Sequence, residues 1–154
     1  MESITVRPAR ESDLDDLLAL YAEAAEGSVL KTPVSHREAQ PLLTTILTDP
    51  ARHLCVATTS GTVVGTADML TVANIAHHGM PWAVIENVVV AAAARRQGAG
   101  TALIRHLLEI ASAAGCYKVQ LLSAKHREPA HKLYQKTGFR PLAEGFRLYL
   151  DGTY

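Results

Sequence analysis

Residues 95–104 read RRQGAGTALI, a stretch in which two glycines stand between a pair of arginines and an apolar run. Apolar residues then recur with a period near 3.6 as far as Gly115, which predicts a helix that begins at the glycines. The preceding run AVIENVVVA, residues 83–91, predicts a central strand that is covered on both faces. A strand, a glycine turn and a helix in this order place free backbone N–H groups and a positive helix dipole at one point. The stretch therefore predicts an anion site.

The N-terminal part of the chain alternates one predicted strand with two predicted helices. ITVRPA, residues 4–9, is β-branched at first and predicts a strand that ends near Pro8. The following helix is predicted to begin at a capping box of Ser12 and Asp15 and to end at Gly27.

A second helix is predicted over residues 35–49, with Ser35 and Glu38 as its capping box. Pro41 lies inside this segment, and a proline there predicts either a kink or two short helices.

The remaining segments change to a strand period and then alternate. Residues 53–72 predict two strands joined at Ser60 and Gly61. Residues 117–124 predict a buried strand and residues 128–138 a short helix that starts at Pro129. The closing segment GFRPLAEGFRLYL, residues 138–150, predicts two further strands. The order of elements predicts one α/β domain over residues 1–154, with a mixed sheet and no linker.

Composition and charge exclude several classes of function. Lysine plus arginine and aspartate plus glutamate both number 15, so the chain carries no general charge pattern for nucleic acid or an anionic membrane. No apolar run is long enough to cross a bilayer, and no signal core precedes the first strand. Cys55 and Cys116 are far apart and lack metal spacing, so we expect no metal site and a reducing, cytoplasmic setting.

The glycine turn fits neither of two common phosphate-binding motifs. The chain has no G-x-x-x-x-G-K-[ST] motif, and the turn lacks the third glycine of a dinucleotide-binding loop. The remaining donors are the backbone amides of residues 97–101, with Arg95 and Arg96 at the rim. Gly98 and Gly100 would let a phosphate approach the backbone without a Cβ in the way. The alternative is that these glycines only turn the chain.

Two motifs resemble those of one known family. Residues 95–100 match the pattern Q/R-x-x-G-x-G/A, and AHKLYQKTGF, residues 130–139, is similar to a second signature with a tyrosine and a glycine–aromatic pair. The chain thus resembles the GNAT superfamily of N-acetyltransferases, and IENVVV with GCYK resembles its glucosamine-phosphate branch locally. The resemblance implies the GNAT fold, an α/β fold with a mixed, mostly antiparallel sheet, a central splay and helices on both faces.

The resemblance further implies acetyl-CoA as the donor. The backbone of the strand before the turn would pair with the pantetheine arm, and the amides of the turn would hold the pyrophosphate. Arg127 stands where the family often has an asparagine, so it could instead meet a phosphate or the substrate. The cofactor-binding residues predicted in this way are Val88, Val89, Val90, Arg95, Arg96, Gln97, Gly98, Ala99, Gly100, Thr101, Arg127, His131 and Tyr134.

Amine acetylation needs a base for the amine, an oxyanion donor and an acid for the leaving sulfur. The resemblance places Tyr134 near the sulfur, and a phenol stays protonated at neutral pH. Its alternative role is core packing. Glu86 is a carboxylate in an apolar strand, where a buried charge is costly, so it is the candidate base. Its alternative role is a structural hydrogen bond or ion pair.

The acceptor is the least constrained part of the prediction. We expect a small-molecule amine, with Tyr21, Lys31, Trp82 and Glu86 as substrate-binding residues. Alternatives are a protein N-terminal or lysine acetyltransferase and a CoA-binding regulatory module without turnover. The last strand, GFRLYL, could pair across a two-fold axis, which would make a homodimer.

Overall fold

The computed structural model describes residues 3–25 and 34–152. In this part of the chain nine helices and strands follow one another. They are β1 Ile4–Pro8, α1 Leu14–Ala25, α2 His36–Thr48, β2 Arg52–Thr59, β3 Thr62–Val72, β4 Trp82–Val90, α3 Ala99–Ala113, β5 Val119–Leu121 and α4 Glu128–Lys136. Short 3-10 turns precede α1, β4 and α3. No helix of the described residues is long and apolar enough to cross a bilayer.

The five strands form one open sheet in sequence order, from β1 to β5. The first four strands are antiparallel, and β5 pairs with β4 in parallel. The turn between β2 and β3 lies at Ser60 and Gly61, as predicted, and both residues have positive φ. The predicted mixed α/β sheet is therefore confirmed.

Helices cover both faces of the sheet, because successive strand residues point to opposite sides. Leu54 and Val56 of β2 pack against α1 and α2, whereas Cys55 and Ala57 pack against α3 and α4. The α3 face carries the larger core, and Leu103, Ile104 and Leu107 are fully buried there. α3 ends at Ala113, and the predicted stop, Gly115, follows the helix cap with positive φ.

The predicted start of α1 is wrong. Asp13, not Ser12 or Asp15, closes the first turn, since its carboxylate accepts from the Arg10 amide at 2.7 Å. The Arg7 guanidinium adds two bonds at 2.7 and 2.8 Å and holds the pKa of the buried Asp13 carboxyl below its usual value. The predicted stop at Gly27 lies outside the described residues.

The helix α2 begins at the predicted capping box. The Glu38 amide donates to the Ser35 hydroxyl, and Glu38 accepts from the Ser35 amide. Pro41 does not divide the segment into two short helices, because one helix runs from His36 to Thr48. The proline lies in the second turn, where only one backbone hydrogen bond is lost.

The two predicted C-terminal strands are absent, since residues 139–152 contain no strand. Their large apolar side chains are mostly exposed, including Phe146 at 89% and Leu150 at 93%. A strand needs a neighbour to satisfy its N–H and C=O groups, and no described strand lies beside this segment. The last buried strand is also shorter than predicted, with three residues instead of eight.

Candidate active site

A cavity of about 420 Å³ opens between the end of β4, the first turn of α3 and one face of α4. It contains both motifs that the sequence singled out, the glycine turn and the signature tyrosine. Its lining residues are Val88, Val90, Ala94, Arg95, Arg96, Gly98, Ala99, Gly100, Thr101, Arg127, Pro129, Ala130, Lys132, Leu133, Tyr134 and Lys136.

The sheet opens on one side of β4 because β5 is short. β5 pairs only with Ala83, Val84 and Ile85, so no described strand pairs with residues 86–90 on that side. On its other side β4 continues along β3 as far as Val90. The result is a splay between two neighbouring strands, bounded by exposed main-chain groups of β4.

A β-bulge decides which of these main-chain groups face the splay. Asn87 has φ of 53°, and Asn87 and Val88 together oppose the single residue Ala67 of β3. Beyond the bulge the Ala91 amide donates to the Val64 carbonyl of β3 at 2.9 Å. Because backbone groups alternate along a strand, those of Val89 also face β3.

The open side of β4 therefore carries the backbone groups of Val88 and Val90. The carbonyl of Val90 already accepts a hydrogen bond from Arg95 Nε at 3.2 Å. The backbone groups of Val88 and the amide of Val90 remain free to pair with an extended ligand in the splay.

The glycine turn exposes the first backbone amides of α3. Gly98 has φ of 98° and caps the helix, and its carbonyl accepts from Ala102 at 2.9 Å. The amides of Ala99, Gly100 and Thr101 consequently have no acceptor within the helix. All three residues line the cavity, so these donors and the positive end of the α3 dipole meet at its wall.

The second glycine of the turn is needed for contact between α3 and α4. A Cβ on Gly100 would lie 3.0 Å from Leu133 Cδ2 and 3.7 Å from Val90 Cγ2. Leu133 of α4 thus rests directly on the first turn of α3. This contact sets the width of the cavity between the two helices.

The loop between β4 and α3 is held by α1. Glu23 accepts a hydrogen bond from the Ala92 amide at 2.5 Å, and its carboxylate lies 3.8 Å from the Arg95 guanidinium. Arg96 has φ of 63°, a left-handed conformation that costs a non-glycine residue about 1–3 kcal/mol. Strained non-glycine residues of this kind cluster at ligand-binding sites.

Tyr134 lies on α4 and forms part of the core beside α3, with 9% of its surface exposed. Both alternatives for this residue are thus present, because it packs in the core and also lines the cavity. Burial raises the pKa of its phenol, the Arg127 guanidinium lowers it, and the Glu86 carboxylate raises it. The net direction is upward, so the hydroxyl keeps its proton at neutral pH.

Glu86 is exposed, and the prediction that its carboxylate is buried in a central strand is wrong. β5 ends at Leu121 beside Ile85, so nothing covers that side of the strand at Glu86. Glu86 pairs with Asp68 of the neighbouring strand β3. Ile85, the residue before it, belongs to the core on the α3 side, so Glu86 lies on the α1 side of the sheet, whereas Tyr134 lies on the α3 side. Its influence on the pKa of Tyr134 shows that the two groups are within electrostatic reach across the splay.

The buried Asp68 forms an ion pair beside Glu86 that the sequence did not reveal. Its carboxylate accepts from Arg52 Nε at 3.1 Å and from Arg52 Nη2 at 2.5 Å. Like charges directly across a strand pair repel each other, and the guanidinium compensates one of them.

Several predicted site residues lie away from the cavity. Val89 and Gln97 are not among its lining residues, and the Gln97 side chain donates to the Ala93 carbonyl at 3.0 Å. His131 is not a lining residue either, because its Nε2 lies 3.0 Å from the Ala124 carbonyl oxygen. Its imidazole joins α4 to the loop that follows β5.

The predicted substrate-binding residues are only partly brought together: Tyr21 and Glu86 both lie on the α1 side of the sheet beside Asp68, and Trp82 lies apart from them. Trp82 is at the start of β4, about 13 Å along the strand from Glu86, and its ring lies under the Lys118 ammonium. Tyr21 packs on the α1 side of the sheet, where burial raises its pKa and its phenol contacts the Thr66 hydroxyl. Lys31 lies outside the described residues.

The structure also adds residues that sequence reasoning missed. Lys132 and Lys136 line the cavity, and their spacing of four residues on one helix face with Pro129 was a usable signal. Ser123, just beyond β5, has a buried hydroxyl oxygen without a hydrogen-bond partner. No cluster of three metal-ligating side chains occurs in residues 3–25 and 34–152.

Comparison with known proteins gives a consistent picture. The model of a family described as "Acetyltransferase (GNAT) family" matches residues 14–139. The solved structure of a putative acetyltransferase from Agrobacterium tumefaciens is 36% identical, with a TM-score of 0.87, over 94% of this chain and 99% of that one. An acetyltransferase from Trypanosoma brucei is 31% identical, with a TM-score of 0.79, over 96% of this chain and 100% of the other.

A curated relative is named for a specific substrate. A glucosamine 6-phosphate N-acetyltransferase of Trypanosoma brucei brucei is 38% identical over 91 residues. The matched stretch covers 59% of this chain and 60% of that protein. The similarity thus extends over little more than half of either sequence.

Proposed function

Because this chain belongs to the acetyltransferase (GNAT) family, we propose that it transfers the acetyl group of acetyl-CoA to a primary amine of a small molecule. The observation that carries the proposal is the cavity, which joins free α3 amides, the unpaired half of β4 and the protonated Tyr134 hydroxyl. Transfer is by direct attack, with donor and acceptor bound together.

The donor lies with its pyrophosphate on the first turn of α3. The amides of Ala99, Gly100 and Thr101 bind the phosphate oxygens, and Arg95 and Arg96 flank them. The pantetheine arm pairs with Val88 and Val90 as an added strand in the splay. This leads the thioester toward Tyr134.

In the reaction the amine nitrogen forms a bond to the thioester carbon and gives a tetrahedral intermediate. The backbone amide of Val88 or Val90 stabilises the oxyanion. The carbon–sulfur bond then breaks, and the sulfur takes the bonding electrons together with the Tyr134 proton. The surplus amine proton passes through water to Glu86, which lies on the opposite face of the sheet from Tyr134. Solvent then returns a proton to Tyr134.

A charge-matched pair of variants tests the base. We expect Glu86→Gln to lower kcat/KM about 10- to 100-fold at pH 6.5. The deficit shrinks toward pH 9, where the acceptor amine loses its proton unaided. Initial rates from pH 6 to 9.5 are measured beside Glu109→Gln, the same change on the exposed side of α3. A deficit that is constant over this range assigns Glu86 a structural role instead.

The acceptor is tested with a panel of amines, assayed for released CoA thiol and for the mass of the product. Glucosamine 6-phosphate comes first, because a relative of that name is 38% identical and because Lys31 and Arg37 favour an anionic acceptor. Unphosphorylated amino sugars, polyamines, and peptides with a free N-terminus or lysine complete the panel. Turnover only with peptides favours the protein acetyltransferase alternative, and no turnover with tight CoA binding favours the regulatory module.

We further propose that the protein is a homodimer that works in the cytoplasm. Phe146, Leu148 and Leu150 are exposed apolar residues at every second position of the sequence, and the outer edge of β5 has no partner strand in the described chain. Sedimentation should give twice 16.6 kDa for the wild type and one chain for Leu148→Lys. A monomeric wild type contradicts the proposal. The free thiols of Cys55 and Cys116 fit a reducing compartment.

A further inference from the structure

The cavity has a strongly one-sided charge, although the whole chain is neutral. Five of its lining side chains are cationic, and none of the lining residues is acidic. The cations are Arg95, Arg96, Arg127, Lys132 and Lys136. Such a wall attracts a polyanion with more charge than one pyrophosphate group.

These cations fall into separate groups along the cavity. Arg95 and Arg96 belong to the turn before α3, and Arg95 is partly neutralised by Glu23. Arg127 is near the Tyr134 hydroxyl, since it lowers the pKa of that phenol. Lys132 and Lys136 lie about one turn apart on α4, on either side of Tyr134 in sequence. Because two residues rotate a helix by about 200°, these lysines point away from the side of α4 that carries Tyr134 and are a third group.

The two lysines have no protein partner that explains them. They are four residues apart on α4, both are exposed, and neither forms an ion pair in the described part of the chain. Like charges at this spacing destabilise a helix slightly. Leu133, between them in sequence, rests on Gly100, so this part of α4 lies beside the first turn of α3, at the cavity that both lysines line.

We propose that Lys132 and Lys136 bind the ribose 3′-phosphate of the donor, so that the site selects CoA over dephospho-CoA. This inference rests on acetyl-CoA being the donor. The pyrophosphate takes the α3 amides, and the 3′-phosphate is the remaining anionic group of the molecule. A phosphate monoester carries close to two negative charges at neutral pH and matches two ammonium groups.

The test compares CoA with dephospho-CoA by calorimetry at low salt, in the wild type and in Lys132→Gln/Lys136→Gln. We expect the wild type to bind CoA about tenfold more tightly, because two exposed charge pairs contribute modestly. The double variant should bind both ligands alike, with unchanged affinity for dephospho-CoA. The control is Arg105→Gln/Lys125→Gln, which removes the same charge outside the cavity lining and should keep the preference.

Four results overturn the inference. Equal binding of both ligands by the wild type would exclude the 3′-phosphate contact and would leave the assignment of CoA as the donor intact. An equal loss for both ligands in the double variant assigns the lysines to the pyrophosphate. A raised acceptor KM with an unchanged CoA preference assigns them to a phosphate of the acceptor. If neither ligand binds, this result contradicts both the assignment of acetyl-CoA as the donor and the present inference.

Discussion

Gly98→Glu should abolish binding of acetyl-CoA while leaving the protein folded. A Cβ at Gly98 would contact Ile4 Cδ1 at 3.6 Å, and the new negative charge would lie at the N-terminal cap of α3, next to the free amides that line the cavity. Two like charges about 4 Å apart near a protein surface repel by about 4 kcal/mol, which corresponds to a loss of roughly 100- to 1000-fold in affinity. The dissociation constant is measured by calorimetry.

The control for this variant is the same substitution at the other end of α3. Gly115 also has positive φ, 77°, and a Cβ there would meet nothing within 4 Å. Both variants carry a backbone cost of about 1–2 kcal/mol in unfolding free energy, because φ is positive at both positions. Only Gly98→Glu should lose the ligand. If Gly98→Glu binds acetyl-CoA within tenfold of Gly115→Glu, the pyrophosphate lies elsewhere.

Tyr134→Phe should lower kcat about 100-fold and leave the KM for acetyl-CoA unchanged within about threefold. The phenyl ring keeps the packing against α3, while the proton for the leaving thiolate is lost. No described group hydrogen-bonds to the hydroxyl, so its removal leaves no orphaned partner and the unfolding free energy should stay within about 0.5 kcal/mol. Steady-state rates with both substrates varied separate kcat from KM.

The pH dependence of the wild type adds an independent test of this role. Burial raises the pKa of the Tyr134 phenol above its ordinary value, so the acid keeps its proton into the alkaline range and we expect no fall in kcat between pH 7 and pH 9. Tyr117→Phe is the matched control, because this tyrosine stacks on His77 outside the cavity. An unchanged kcat in Tyr134→Phe contradicts the assignment. A fall in kcat that begins below pH 9 in the wild type but not in Tyr134→Phe also contradicts it.

The fold was largely predictable because its signals are local. The helix period of α3, the turn at Ser60 and Gly61 and the capping box at Ser35 each depend on neighbouring residues. Strand formation at the C-terminus depends instead on a partner edge, and the sequence of residues 138–150 does not indicate whether one is available. Strand pairing is a tertiary property, and an apolar alternating segment predicts a strand whether or not an edge is available.

The donor side of the site was predictable for a similar reason, since the glycine turn and Tyr134 belong to compact motifs. Glu86 was misjudged because its exposure follows from the length of β5, a strand more than 30 positions further along. The orientation of Val89 could not be predicted, because the bulge at Asn87 and the alternation beyond it decide which amides face the splay. The acceptor side combines separate segments of the chain, and no short motif describes such a surface.

The melting temperature of the wild type in increasing acetyl-CoA tests most directly whether the cavity binds this donor. A ligand that binds only the folded state stabilises it by RT ln(1 + [L]/Kd), about 2.7 kcal/mol at 100 times Kd. We expect a rise of several degrees that continues with concentration, and no rise for Gly98→Glu. An unchanged wild-type melting temperature at millimolar acetyl-CoA would contradict it.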